Sequence, residues 1–331
     1  MTPVRCLRSL RSLCLYGLAA ATALAAATTA QAQAYPTKPV RIVVAYAAGG
    51  GADALARAMA GNLSQSLGQQ FVVENKPGAG GISAAETVAK SPADGYTVLL
   101  TDTQYVISPS LFSKLPYDPT KDLTGVSLMT RVPLYLAVKS TAPFQTLQDF
   151  VKDAKAHPGK YNYGSAGIGS LHHIAMESFK ASTGLDVVHV PYKGSGQSVV
   201  GFLGGETTVL VASLPSILPH IKAGNVKLLA VSSLQRSPQA PEVPPMADIV
   251  PGYDFSTEIG LLAPTATPPA VVKKLSDAVA TALKDPALLD RVSNVMGASA
   301  VGSTPAEYAT NLTTNIARYA EAVKVSGAKV E

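Results

Sequence analysis

Two turns in this sequence carry residue types suited to gripping an anion. The first is Ala47-Ala48-Gly49-Gly50-Gly51-Ala52-Asp53, set between an apolar run and a helical pattern. A helix starting at such a turn offers unpaired N–H groups and a positive partial charge, and glycines let an anion approach the backbone closely. The second is Gly164-Ser165-Ala166-Gly167-Ile168-Gly169-Ser170, again between a strand pattern and a helix pattern. There, backbone N–H groups with the Ser165 or Ser170 hydroxyl make an anion nest. Plainer readings stand beside these. Asp53 complements the helix dipole, or pairs with Arg57 four residues on, as readily as it meets a ligand. Ser170 is a good N-cap in its own right. Gly49-x-Gly51-x-x-Ala54 also fits a dinucleotide fingerprint with Glu74 as the ribose acid, which would make an oxidoreductase. A hydrolase elbow reads G-x-S-x-G, and the residues after Ser165 depart from it. His172 and His173 are neighbours, so on a helix they point about 100° apart and cannot share a metal. Each reads as a single core or rim histidine, with His173 the candidate for touching ligand. Tyr192-Lys193-Gly194 either lines a cleft or forms a solvated loop.

The elements that must position these turns alternate. Val40–Val44 reads as a buried strand, and Leu55, Met59, Leu63 and Leu67 then recur on one helical face, with Gly68 as its stop. Phe71–Glu74 is the next strand. Gly78-Ala79-Gly80-Gly81 opens a helix with Ile82, Ala85 and Ala89 on one side, and Asp94-Gly95 turns into a strand over Tyr96–Leu100. This is the βαβ rhythm of a parallel sheet. The rhythm restarts with a helical face of Leu147, Phe150, Val151 and Ala154, ended by His157-Pro158-Gly159. Strands follow at Tyr161–Gly164, Val187–Val190, Thr208–Ala212 and Val226–Ser232, with helices from Ser170 to Gly184 and from Ser195 to Gly204. Ser237–Pro251 is proline-rich loop, Phe255–Ala263 a strand, and the tail is helical. Pro268-Pro269 opens that tail, Asp285-Pro286 interrupts it, and Thr304-Pro305-Ala306-Glu307 is a capping box opening the last helix. β-rich runs near Val126–Val138 and Phe255–Ala263 link the halves, and two crossings make a hinge that allows closure on a ligand.

The first residues bound the function. Arg5, Arg8 and Arg11, an apolar run from Leu13 to Ala27, and the small-x-small sites Ala30-Gln31-Ala32 and Ala32-Gln33-Ala34 describe a cleavable Sec-type signal, with cleavage expected after Ala34. The apolar run is short of the roughly 20 residues a membrane span needs. Both cysteines, Cys6 and Cys14, leave with that segment, and with them any disulfide, thiolate metal site or cysteine nucleophile. Removing the three arginines brings 27 basic residues against 22 acidic ones to a net charge near +2, and no basic cluster remains, so no nucleic-acid surface is expected. Export also weighs against a nicotinamide cofactor.

With these motifs in hand, the chain resembles the Bug-type (TctC-like) extracytoplasmic solute receptors of tripartite tricarboxylate transporters. The resemblance is carried by Arg41-Ile42-Val43-Val44 leading to Gly49-Gly50-Gly51-Ala52-Asp53, by Val73-Glu74-Asn75-Lys76-Pro77-Gly78-Ala79-Gly80-Gly81, and by Ala93-Asp94-Gly95-Tyr96-Thr97. Leu115-Pro116-Tyr117-Asp118-Pro119, the Gly164–Ser170 turn and Val190-Pro191-Tyr192-Lys193-Gly194 continue it over essentially the whole exported chain.

The resemblance implies an α/β, type II periplasmic-binding-protein fold, two α/β lobes joined by two hinge-strand crossings. We expect residues 35–130 and 256–331 in the first lobe and 131–255 in the second, with 1–34 as the signal. The resemblance implies a small carboxylate held largely by backbone N–H groups and ordered waters between the lobes. The implied walls are Tyr46–Asp53, Gly80 and Gly81, Thr101, Asp102 and Thr103, Ser165, Ala166, Gly167, Gly169 and Ser170, and Tyr192. It also implies a membrane partner of one large and one small subunit. A periplasmic location follows from the export signal, and no catalysis, no cofactor, no metal and a monomer are expected. Three positions depart from the family pattern: Glu258 where an aromatic is common, Asp102 where a small or hydroxyl residue is usual, and Gly201 where an acid is frequent. If Glu258 and Asp102 face the cleft they repel a simple dianion and favour a ligand bearing an amine or a proton; otherwise they point to water. The alternatives are an exported hydrolase or dehydrogenase using the glycine-rich turns, and a sensor receptor on the same fold.

Overall fold

The computed structural model describes residues 35–329; the expected export signal over 1–34 lies outside the described residues. Strands β1 (Val40–Val44), β2 (Phe71–Asn75) and β3 (Thr97–Thr101) pair in parallel, with β1 in the middle. Their connections are helix α1 (Gly51–Leu67) and helix α2 (Ile82–Ala89), the latter preceded by a short 3₁₀ turn at Ala79–Gly81. Apart from Arg41, β1 is apolar on both faces, because helices cover both faces of a parallel sheet. In α1, Leu55, Met59 and Leu63 are buried as their spacing predicts. The helix stops at Gly68, whose φ of 69° is left-handed backbone, with its N–H returned to the Ser64 carbonyl.

Helix α3 (Gln104–Leu111) follows β3 and was not legible as a helix in the sequence. The chain then enters β4 (Leu123–Lys139), a strand of 17 residues shared by both halves of the molecule. Its first part, Leu123 to Pro133, pairs antiparallel with β9 (Ser256–Pro264), which in turn lies beside β3. From Leu134 onward it pairs antiparallel with β7 (Val209–Ser213) and β8 (Val226–Val231) instead. The second half then repeats the parallel plan. Helix α4 (Leu147–Ala156) precedes β5 (Tyr161–Ser165), α5 (Leu171–Thr183) precedes β6 (Val187–Pro191), α6 (Ser195–Gly204) precedes β7, and α7 (Leu214–Lys222) precedes β8. The path across the sheet is β2-β1-β3-β9-β4-β7-β5-β6, with β8 and the two-residue β10 (Ser299–Ala300) also on β4.

The two crossings between halves meet at Ser232. Its N–H reaches the Leu134 carbonyl at 2.8 Å, its hydroxyl accepts from the Leu134 N–H at 2.8 Å and donates to the Phe255 carbonyl, and its own carbonyl takes the Phe255 N–H at 2.9 Å. The expected loop over Ser237–Pro251 is present, with a 3₁₀ turn at Met246–Asp248.

The tail comprises α8 (Pro269–Ala282), α9 (Pro286–Asp290), a π turn at Arg291–Val295 and α10 (Pro305–Ser326). α10 opens with the capping box read from the sequence: the Thr304 hydroxyl accepts the Glu307 N–H and the Glu307 carboxylate accepts the Thr304 N–H. This helix packs against α3 in the first half and α5 in the second. One continuous apolar core accordingly runs from Val43, Tyr105 and Leu128 through Tyr308 and Tyr319 to Tyr163 and Phe179. Tyr308 reaches in over one glycine of β4 and one of β9. A methyl group added at Gly260 would lie 2.1 Å from the Tyr308 hydroxyl oxygen, and one at Gly125 2.8 Å from its Cδ1.

Candidate functional site

The β1–α1 turn is built to leave backbone donors free. Gly49 has φ of 88°, a conformation that favours glycine, and the N-cap Gly50 supplies no side-chain oxygen to the N–H groups of α1. Asp53, in the first turn of that helix, faces back into the turn rather than outward. Its Oδ2 accepts from the Gly49 N–H at 2.9 Å and from Arg57 Nε at 3.0 Å, and its Oδ1 from Asn75 Nδ2 at 2.9 Å. Asn75 also donates to the Tyr46 carbonyl at 3.1 Å. The Arg57 hydrogen bond, followed by the Gly49 N–H, holds the Asp53 carboxyl down at about 2. Asp53 therefore fixes the shape of the turn.

The β3–α3 turn stands beside it. Asp102 Oδ1 receives two donors, the Tyr46 hydroxyl and the Gln104 N–H at 2.8 Å. Burial pushes the Asp102 carboxyl up, against the pull of those two hydrogen bonds. Thr103 is turned away: its hydroxyl donates to the Ser256 carbonyl at 3.0 Å and accepts the Glu258 N–H at 2.7 Å, tying β9 to the start of α3.

These two turns form one wall of a cavity of about 640 Å³. Of the residues singled out in the sequence, Tyr46, Gly49, Gly50, Gly51 and Asp102 line it. The floor is made by the shared strands, Val132 and Leu134 of β4 with Thr257 and Ile259 of β9. The opposite wall comes from the second half: His172 in the first turn of α5, Ser195 at the start of α6, and Ser213, Pro215 and Ser216 where β7 runs into α7. Arg291, Val295 and Met296 of the π turn complete it. Of the helices that start here, α1, α6 and α7 have no side-chain cap bond at the N-terminus, so their first N–H groups and the positive ends of their dipoles are available to a ligand. His172 is half-buried, and burial lowers its imidazole to about 4, leaving it neutral at neutral pH.

The other residues singled out in the sequence lie elsewhere. Gly80 and Gly81 face Gln104, Ala45 and Thr101 at packing distance, where the close approach of α2 to β1 and α3 leaves little room for a side chain. Thr101 is buried. The donors and acceptors of the Ser165–Ser170 loop are largely used internally. Ser165 is fully buried, with Oγ 2.6 Å from His189 Nε2 and accepting the Gly167 N–H at 3.1 Å. The Gly169 N–H donates to His173 Nδ1 at 3.3 Å, and Ser170 Oγ donates to the Gly167 carbonyl at 2.6 Å. Ala166 and Gly167 are half-buried beside them and outside the cavity wall. His173 is buried and stacks on His189 with ring centres 4.1 Å apart, so it is the neighbouring His172 that faces the cavity. Tyr192 lines a separate depression of about 350 Å³ and donates to Glu206 at 2.8 Å. Glu258 turns neither to the cavity nor simply to water: it pairs with Arg131 at 2.7 Å and accepts from Asn315 at 2.8 Å and Asn311 at 3.3 Å.

The same geometry bears on the enzyme readings. Ser165 and His189 are close enough for a nucleophile and its base, yet Ser165 is fully buried and outside the cavity, beyond the reach of a substrate there. Glu74, the candidate ribose acid, is engaged by Arg41 at 3.1 Å and is not in the cavity wall.

Compared with known proteins, residues 55–325 match the family described as the tripartite tricarboxylate transporter family receptor. Protein BugT of Bordetella pertussis is 35% identical over 324 residues, covering 97% of this chain and 99% of its own. Among solved structures, an R. palustris protein determined with adipate is 33% identical with a TM-score of 0.76, covering 89% of this chain and 100% of that one. MatC from Rhodopseudomonas palustris, determined with bound malate, is 30% identical with a TM-score of 0.72, covering 87% of this chain and 100% of its own.

Proposed function

The chain belongs to the tripartite tricarboxylate transporter receptor family, and from that membership we propose that its cavity captures a small carboxylate in the periplasm for the membrane subunits of such a transporter. The protein is a solute-binding receptor and not an enzyme. The observation that carries the reading is the convergence of three helix starts without side-chain caps, those of α1, α6 and α7, on one cavity between the halves of the molecule. Each presents unpaired N–H groups and the positive end of a dipole, which is what a carboxylate needs. The similar proteins solved with adipate and malate support the ligand class. Ser195, Ser213 and Ser216 add hydroxyl partners, neutral His172 a further hydrogen-bonding nitrogen, and Arg291 a cation.

Residues 35–130 with 256–331 form one closing unit and 131–255 the other, and the ligand draws them together by contacting both. Delivery to the periplasm uses the N-terminal signal, removed near Ala34, and the receptor works as a monomer. Calorimetric titration and thermal shift against mono- and dicarboxylates of three to eight carbons test the reading. A true ligand at about 100 times its Kd raises stability by about 2.7 kcal/mol. His172→Ala weakens binding about tenfold, roughly 1.4 kcal/mol. Failure of every carboxylate to bind, or consumption of the ligand during the titration, defeats the reading.

A further inference from the structure

The cavity contains a feature that a receptor for plain anions would not need. Asp102 is the one carboxylate in the cavity wall among the described residues. Its Oδ1 already takes the Tyr46 hydroxyl and the Gln104 N–H, while its Oδ2 has no donor among the described residues. No Lys, Arg or His among them forms an ion pair or hydrogen bond with it either. The two donors on Oδ1 fix the orientation of the group, so Oδ2 is left as an acceptor at the wall that also bears the Gly49–Gly51 turn.

We infer that the ligand is an amino-carboxylate, with its ammonium group on Asp102 Oδ2 and its carboxylate at the uncapped starts of α1, α6 and α7. This rests on the receptor reading above and adds to it a second, cationic subsite. A carboxylate that burial already disfavours gains most from a ligand that carries the missing positive charge. The same carboxylate repels a second anionic group placed near it, which discriminates against a dianion of equal length by an unpaired, like-charge contact. Because Tyr46 joins the glycine turn to Asp102 by a hydrogen bond, the anionic and cationic subsites are held beside each other. That arrangement suits an amine carried close to a carboxylate on one carbon skeleton. Arg291, also in the cavity wall, offers a cation for a further acidic or polar end of such a ligand.

The test compares acids that differ only by an amino group: glutamate with glutarate, 2-aminoadipate with adipate, and phenylalanine with 3-phenylpropanoate, each titrated into the exported chain at pH 7. The expected result is at least tenfold tighter binding of the amino member of whichever pair fits the cavity. Asp102→Asn keeps an oxygen for Tyr46 and Gln104 and removes the charge. It is expected to lower the amino member's affinity at least tenfold and to raise that of the plain diacid. Asp102→Ser, with a melting temperature measured alongside, repeats the comparison if the asparagine variant is poorly folded. Equal or tighter binding of the plain acids, with a ratio that neither variant moves, overturns the amino-carboxylate assignment and leaves the carboxylate receptor standing. Uptake of a proton with a plain diacid overturns it in the same way. Binding of no carboxylate at all defeats both.

Discussion

At the scale of single residues, the second half of the molecule hides three histidines in two different roles. His173 and His189 stack inside it, with Tyr163 on the outer side of His189 at 4.9 Å, while His172 faces the cavity. Burial is the main cause lowering all three, to about 4 for His172 and His189, and for His189 the neighbouring His173 adds to it. An unfolded histidine titrates near 6.5. Between about 6.5 and about 4 the unfolded chain therefore binds more protons than the folded one, so stability is full above about 6.5 and falls as the pH drops through that window. Melting temperatures of the ligand-free protein measured from pH 7.5 down to pH 4.5 should show the decline, and His189→Gln should reduce its slope. A flat profile would contradict the burial of these rings. Some of this was readable beforehand. The i,i+4 pairing of Asp53 with Arg57 follows from spacing alone, and it is the pairing found. Which of two adjacent histidines faces the ligand is not readable, since the 100° between them is known but the direction of the core is set by the sheet on which α5 lies. The partners of Glu258 were hidden for the same reason: Arg131 is brought opposite it by strand register, and Asn311 and Asn315 come from the last helix.

At the scale of elements, local chemistry decided most of what was legible. Periodic apolar runs, glycine stops and capping residues located most of the sheet strands and the majority of the helices to within a residue or two, while β10 left no signal and β4 begins three residues before the run that marks it. α3 and α7 escaped because each contains a proline, Pro109 in one and Pro215 with Pro219 in the other, and neither is long enough to show a clear apolar stripe. Missing α7 also meant missing Ser213 and Ser216 as wall residues, although a serine one residue before Leu214-Pro215 is itself a helix-start signal. The cap of α10 offers a direct check on how much such local signals contribute. Thr304→Ala removes the hydroxyl that accepts the Glu307 N–H and unbalances the reciprocal bond from Thr304 to Glu307. The expected cost is about 1 kcal/mol of stability by chemical denaturation, with ligand affinity unaffected because Thr304 is remote from the cavity wall. A loss below about 0.3 kcal/mol would mean that the 22-residue helix is held by its buried face alone.

At the scale of the whole molecule, the strand order explains why one cavity can draw on both halves. β4 belongs to β9 up to Pro133 and to β7 and β8 from Leu134, so the cavity floor is the place where one sheet hands over to the other. The long apolar run of β4 and the return at Phe255 were visible in the sequence; the lateral neighbours that β4 acquires on each side were not, because pairing between distant segments leaves no local mark. Small-angle scattering with and without saturating ligand should register a smaller radius of gyration in the bound state, and an unchanged profile would argue that the cavity binds without closure. The last helix sets a condition on that movement. Since α10 lies against α3 on one side and α5 on the other, and its Tyr308 and Tyr319 belong to a core continuous with both, any approach of the halves would have to shift one of these packed faces. Packed side chains offer few alternative arrangements, so a short, stepped travel is the outcome expected of that scattering experiment.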